Sequence, residues 1–256
     1  MTAATITPSR HRSPGAAGRI LNVVRLHLVN VRQIFVVPWL IMAFIFALSV
    51  AIGWIVRASL SPADLADANS GMQYSGAIGY FLVYMLVIAV MAINQTFPFA
   101  QSYSVTRRDF YLGTLVAFAG LSVVYSIAVT VLGWLEDVTN GWGFGVTLFS
   151  PEYLGPNLLQ RFYVSLVLFL FFFVIGMAVA SVYLRWKVNG MLIFFATLVL
   201  LIVGFIALIA ATASWSAVGQ WFVMTGFVGV ISWTLVPTSV AAIFGYLLLR
   251  WATPRN

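Results

Sequence analysis

Three charged residues in a row, Arg107, Arg108 and Asp109, stand in the stretch FPFAQSYSVTRRDFYLGT (Phe97 to Thr114), with Tyr103, Phe110 and Tyr111 beside them. Two neighbouring guanidinium groups can pair with carboxylates on another molecule, and the aromatics can anchor at an interface or at a membrane boundary. Asp109 is placed to cap the helix that follows, whose first backbone N–H groups have no helical partner. A plainer role is also open: arginines hold a loop on the cytoplasmic side of a membrane.

Other polar side chains fall inside apolar runs. Thr114, Ser122, Tyr125, Ser126 and Thr130 lie within about half the circumference of one helix, and Tyr84, Asn94 and Gln95 lie on the run before it. Such groups can line a translocation path. They can equally bond to neighbouring helices, which in membranes contributes only about 0.6 kcal/mol on average.

The missing chemistry narrows the reading. No ionisable side chain sits in the middle of a long apolar run, whereas proton-driven carriers generally need one there. Lys187 is the only lysine and lies in WKV without a glycine loop, so a P-loop is absent. His11 and His27 have no carboxylate or cysteine near them in sequence, which disfavours a metal site or a Ser–His–Asp triad. His27, among the apolar residues of an amphipathic stretch, reads as a packing residue. Gly141 to Gly145 (GWGFG) contains GxxxG, but beside Pro151 and Pro156 it reads as turns.

The elements that must position these residues follow from composition. Of the 256 residues, 62% are hydrophobic and 7% charged, with a mean hydropathy of +1.02; a soluble domain shows roughly 45–50% and 25%. The chain reads as an all-α, polytopic membrane protein. Residues 1–18 suggest a disordered tail with no cleavable signal, and 19–33 an amphipathic interfacial helix with arginines on its wet face. A transmembrane domain over 34–251 then has six spans: Ile34 to Val56, Gly76 to Ala100, Phe110 to Trp134, Phe162 to Leu184, Gly190 to Ala210 and Ser232 to Trp251. Each is close to the roughly 20 residues that cross a bilayer. Residues 101–109 form a cytoplasmic loop, 135–161 an outer loop, 212–230 a re-entrant or interfacial hairpin, and 252–256 a tail. Pro237 is expected to kink the last span.

With the N-terminus inside, eleven of the thirteen basic residues face the cytoplasm, and only Arg57 and Arg161 lie outside. Asp64, Asp67, Glu136, Asp137 and Glu152 fall outside and Asp109 inside. This asymmetry puts both termini in the cytoplasm. It also accounts for the +7 net charge without nucleic acid as a partner.

The stretch from Phe97 to Thr114 resembles the cytoplasmic loop between the second and third spans in actinobacterial permease subunits of ATP-binding-cassette exporters, the small six-span kind with separate ATPases. The amphipathic leading helix, which would be that family's elbow helix, and the hairpin before the last span are similar in layout. The resemblance implies that Tyr103, Ser104, Val105, Thr106, Arg107, Arg108, Asp109 and Phe110 couple the permease to a cytoplasmic ATPase. It implies further that ATP and Mg are bound by that partner, with no cofactor or catalysis in this chain, and that a second copy or a sister permease completes the path in a bacterial plasma membrane among its lipids. The alternatives are a self-contained channel or carrier, or a membrane scaffold.

Overall fold

The computed structural model describes residues 15–61, 77–103 and 105–251. The expectations placed on residues 1–14, on Asp64 and Asp67, on Ser104 and on 252–256 fall outside them. Among the described residues the chain is helical, without strands: α1 (Ala16–Leu28), α2 (Val37–Ser59), α3 (Ala77–Ser102), α4 (Arg107–Val138), α5 (Leu158–Ala211), α6 (Trp215–Trp233) and α7 (Leu235–Trp251). Five stretches (Arg32–Ser59, Ile78–Ser102, Arg107–Val138, Leu158–Ala211 and Trp215–Trp251) are long and apolar enough to cross a membrane, as in a multi-pass membrane protein.

The leading helix begins at Ala16, earlier than the 19–33 expected, and it also ends earlier, at Leu28, where Asn30 interrupts the winding. The Asn30 side chain accepts the backbone N–H of Gln33 at 3.3 Å and donates to the Gln33 side chain at 2.7 Å. That is the action of a helix cap, and a π-wound turn, Arg32–Val36, leads into α2.

The core lies where α3, α4 and the first half of α5 meet. Phe81, Tyr125 and Phe169 are buried there with ring centroids 5.5 to 6.5 Å apart, and Phe118 stacks on Phe173 at 5.0 Å. Such aromatic contacts add about 0.5–1.5 kcal/mol each beyond the area they bury.

α5 has 54 residues and is interrupted at Lys187, at φ 56° and ψ −147°. That conformation is costly for a side chain with a Cβ, by about 1–3 kcal/mol, and it falls between the expected fourth and fifth spans, Phe162 to Leu184 and Gly190 to Ala210. Before Lys187 the helix buries a long series of side chains; after it only Gly190 is buried, and α6 buries nothing. Residues 212–230, expected as a hairpin, form a turn at Thr212 to Ser214 and then most of α6, interrupted at Gly226 (φ 65°).

α7 returns onto the packed part of α5. Gly245 lies against Ala178, and the Tyr111 hydroxyl donates to the Ala242 carbonyl. Pro237 does not kink a helix interior, because α7 starts at Leu235 and the proline sits in its first turn. A missing N–H there takes away no helical bond.

Candidate functional site

The loop between α3 and α4 has a fixed base. The N–H groups of Tyr103 and Val105 both donate to the Ala100 carbonyl, at 3.3 and 3.2 Å, and fold the chain back on the end of α3. Thr106 begins α4, its hydroxyl oxygen accepting the Asp109 N–H at 3.1 Å. Thr106 is therefore the cap, and the role expected of Asp109 is corrected: Asp109 lies one turn in. Its buried carboxylate accepts from Arg19 Nε at 2.6 Å. A negative charge in the first turn of a helix is also favoured by the helix dipole.

Phe110 is fully buried, edge-on to Phe97 at 5.3 Å. Arg107 is half-buried and donates through one terminal nitrogen to the Arg250 carbonyl at 2.9 Å, tying the loop to the end of α7. Val105 is half-buried. Tyr103 and Arg108 are exposed, Tyr103 at 70%, with its ring 4.9 Å from Phe99. The stretch thus divides into residues that build the loop (Thr106, Asp109, Phe110, with Arg107 as a tie) and residues presented by it (Tyr103 and Arg108).

α1 clamps this loop from the side. Val23 packs onto Gly113 so closely that a Cβ at that position would lie 2.6 Å from the Val23 Cβ, and Arg19 reaches Asp109. His27 is buried between Phe110 and Phe118, with centroids 5.7 and 5.6 Å away. Its Nε2 is 2.8 Å from the Thr114 hydroxyl, which donates its own hydrogen to the Phe110 carbonyl at 2.8 Å. Nε2 is therefore the donor to Thr114, and Nδ1 is buried without a partner. Burial lowers the His27 pKa to about 4. The packing role expected of His27 is what this environment provides.

Of the polar residues of α3 and α4, the structure brings Tyr84 and Tyr125 together on the turn before α2. Ser122 and Ser126 are buried, their hydroxyls donating to the Phe118 and Ser122 carbonyls one turn back. Tyr84 donates to the Gln33 carbonyl at 3.0 Å and Tyr125 to the Ile34 carbonyl. Both tyrosines hold the π-wound turn, whose wide winding takes carbonyls off the regular ladder. Asn94 Oδ1 and Thr130 Oγ1 are buried without a hydrogen-bond partner. Gln95 is exposed and lines a cavity of about 50 Å³ with His27, Asn30, Gln33 and Thr96.

Sequence reasoning treated Glu136 only as an outer-side acid. The structure makes it the hub of the 139–157 segment. Its carboxylate, 1% exposed, accepts the backbone N–H groups of Leu148, Phe149 and Ser150 at 2.9 to 3.1 Å, the Ser150 hydroxyl at 2.6 Å and the Trp142 indole N–H at 3.0 Å. A signal was available: an acid in the last turn of a helix opposes the dipole and calls for compensating donors. GWGFG winds through left-handed conformations, with φ between 59° and 78° at Gly141, Trp142, Gly143 and Gly145. It is a turn, as expected. Arg57 donates to the Gly143 carbonyl at 2.6 Å, and the buried Arg161 pairs with Asp137 at 2.9 Å.

No three His, Cys, Asp or Glu side chains are grouped to hold a metal ion among the described residues. Comparisons with protein-family models, curated proteins and solved structures find no match to this chain.

Proposed function

We propose that this chain is the transmembrane permease subunit of an exporter powered by a separate cytoplasmic ATPase, which docks on the loop between α3 and α4. One observation carries the reading. The loop's base is fastened at Thr106, Asp109, Phe110 and Arg107, while the aromatic and the cation that can engage a partner, Tyr103 and Arg108, are exposed. A rigid base under a presented pair suits transmission of force better than a slack connection does.

A six-span layout, in which α5 crosses twice, fits the same reading. A helix of 54 residues extends about 80 Å at 1.5 Å per residue, far beyond a hydrocarbon core of about 30 Å. With the break at Lys187 it divides into two crossings, and the basic residues Arg185 and Lys187 then share a side with Arg107, Arg108 and Arg250. Glu136, Asp137, Arg57 and Arg161 gather at the opposite ends. The permease works as a homodimer or with a sister permease, in a bacterial plasma membrane.

The test is mild-detergent purification from the native host. A soluble P-loop protein should accompany the chain at about one copy each, and Tyr103→Ala with Arg108→Glu should remove it while membrane insertion is unchanged. Arg107 is left in place because it ties the loop to α7. Recovery of the chain alone, or of the partner with both substitutions present, overturns the reading and favours a self-contained channel or carrier.

A further inference from the structure

A groove of about 530 Å³ runs between α1 and the end of α3. Its walls are Arg19, Asn22 and Leu26 on one side and Phe99, Ala100 and Tyr103 on the other. We infer that it is a binding site for one anionic phospholipid, which braces the loop against α1. The inference rests on the reading that places this loop at the cytoplasmic leaflet.

Three observations point to a lipid. The groove is amphipathic along its length, with Arg19 and Asn22 at successive turns of α1 above the apolar Leu26, Phe99 and Ala100, so a charged headgroup and the start of an acyl chain are both accommodated. Phe99 and Tyr103 pair at the end of an apolar helix, where aromatic residues settle at headgroup depth. The elements that form the walls, together with the start of α4, carry Arg19, Arg25, Arg107 and Arg108 against one acid, Asp109. Asp109 holds the Nε of Arg19, so the cation on the groove wall is fixed in position. Juxtamembrane arginines attract anionic headgroups at about 1 kcal/mol each, roughly fivefold in binding.

The purified chain is reconstituted in phosphatidylcholine nanodiscs containing a small fraction of either photoactivatable phosphatidylglycerol or photoactivatable phosphatidylcholine, and the labelled peptides are mapped. Peptides covering 19–26 and 99–105 should be labelled about fivefold more by the anionic lipid, with no such preference in 192–201 of α5. Asn22→Glu should abolish the preference and Asn22→Gln keep it; Asn22 is exposed, so neither change disturbs the core. Equal labelling by both lipids, equal preference along α5, or no labelling in the groove overturns the site. Loss of the preference on adding inorganic phosphate assigns the groove to a free anion and also overturns it. No ATPase is present in the nanodisc, so the result is independent of whether the partner reading stands.

Discussion

The two ends of α4 each bury a carboxylate, and they do so in different ways. At the loop end, Asp109 accepts from one guanidinium, Arg19, and sits one turn inside a threonine cap. At the far end, Glu136 accepts from the backbone of three consecutive residues, a hydroxyl and an indole. The far end organises its segment around a fully enclosed acceptor. The near end uses its acid to fasten a neighbouring helix and leaves Tyr103 and Arg108 outside. One end of the helix is built as an anchor and the other as a platform. The comparison fails if the two acids prove equally dispensable.

Glu136→Ala should have the largest effect. It strands the N–H groups of Leu148, Phe149 and Ser150 and the indole of Trp142 in a buried place, where each unsatisfied donor costs about 1–3 kcal/mol. A loss of about 4 kcal/mol or more is expected, read as a fall in thermal midpoint in detergent and new protease cleavage between 139 and 157. Glu136→Gln keeps an acceptor oxygen and should fall between. A loss for Glu136→Ala below about 1 kcal/mol would show that the segment folds without its hub.

The contrast between these ends also marks what the sequence disclosed. The loop end was legible because Arg107, Arg108 and Asp109 are local: charges in a nearly uncharged chain announce themselves by type alone. The division of labour within it was not legible, since whether Arg107 faces a partner or the Arg250 carbonyl depends on a contact across 143 residues. Likewise the break at Lys187 could be placed from the two basic residues of RWK, but not the difference in packing on its two sides: the half after Lys187 is the more apolar of the two and yet the exposed one. Glu136 was half legible: an acid in the last turn of a helix calls for donors, but that three of them are the backbone N–H groups of 148–150 is signalled by no residue type. The spacing of the serines of α4 left open a path lining or bonds to neighbouring helices; Ser122 and Ser126 donate their hydroxyls within their own helix, a partner that spacing does not reveal.

The second way to sharpen the comparison is pH, which should act on the platform end through His27. Its pKa falls from the ordinary 6.5 to about 4 in the fold, so the unfolded or undocked chain binds the extra proton first. The contribution of neutral His27 is whole above about pH 6.5 and is lost as pH falls towards 4, where protonation charges an imidazole whose Nδ1 has no acceptor beside it. A shift of this size is worth about 3 kcal/mol at its limit. Because carboxylates titrate in the same range, the readout is the difference between the wild type and His27→Leu. The wild type should lose stability relative to the variant between pH 6.5 and 4.5, and hydrogen exchange in 16–28 should rise with it. Parallel curves would place the imidazole in contact with water, contrary to its burial against Phe110 and Phe118.

The smallest expected effect lies at Thr106, and it separates a cap from a platform. Replacing a threonine cap by alanine costs about 1 kcal/mol, since one N–H at the helix start loses its acceptor. Here the orphaned group is the N–H of Asp109, whose carboxylate still holds Arg19, so α1 should remain docked while the first turn of α4 frays. Thr106→Ala is therefore expected to raise hydrogen exchange at 107–110 without raising it at 16–28. Thr106→Ser, which keeps the hydroxyl, should leave both unchanged. If exchange rises in α1 as well, the cap and the Arg19–Asp109 pair form one cooperative unit. The platform would then be as tightly integrated as the anchor at Glu136, and the two ends of α4 would differ only in how many donors they use.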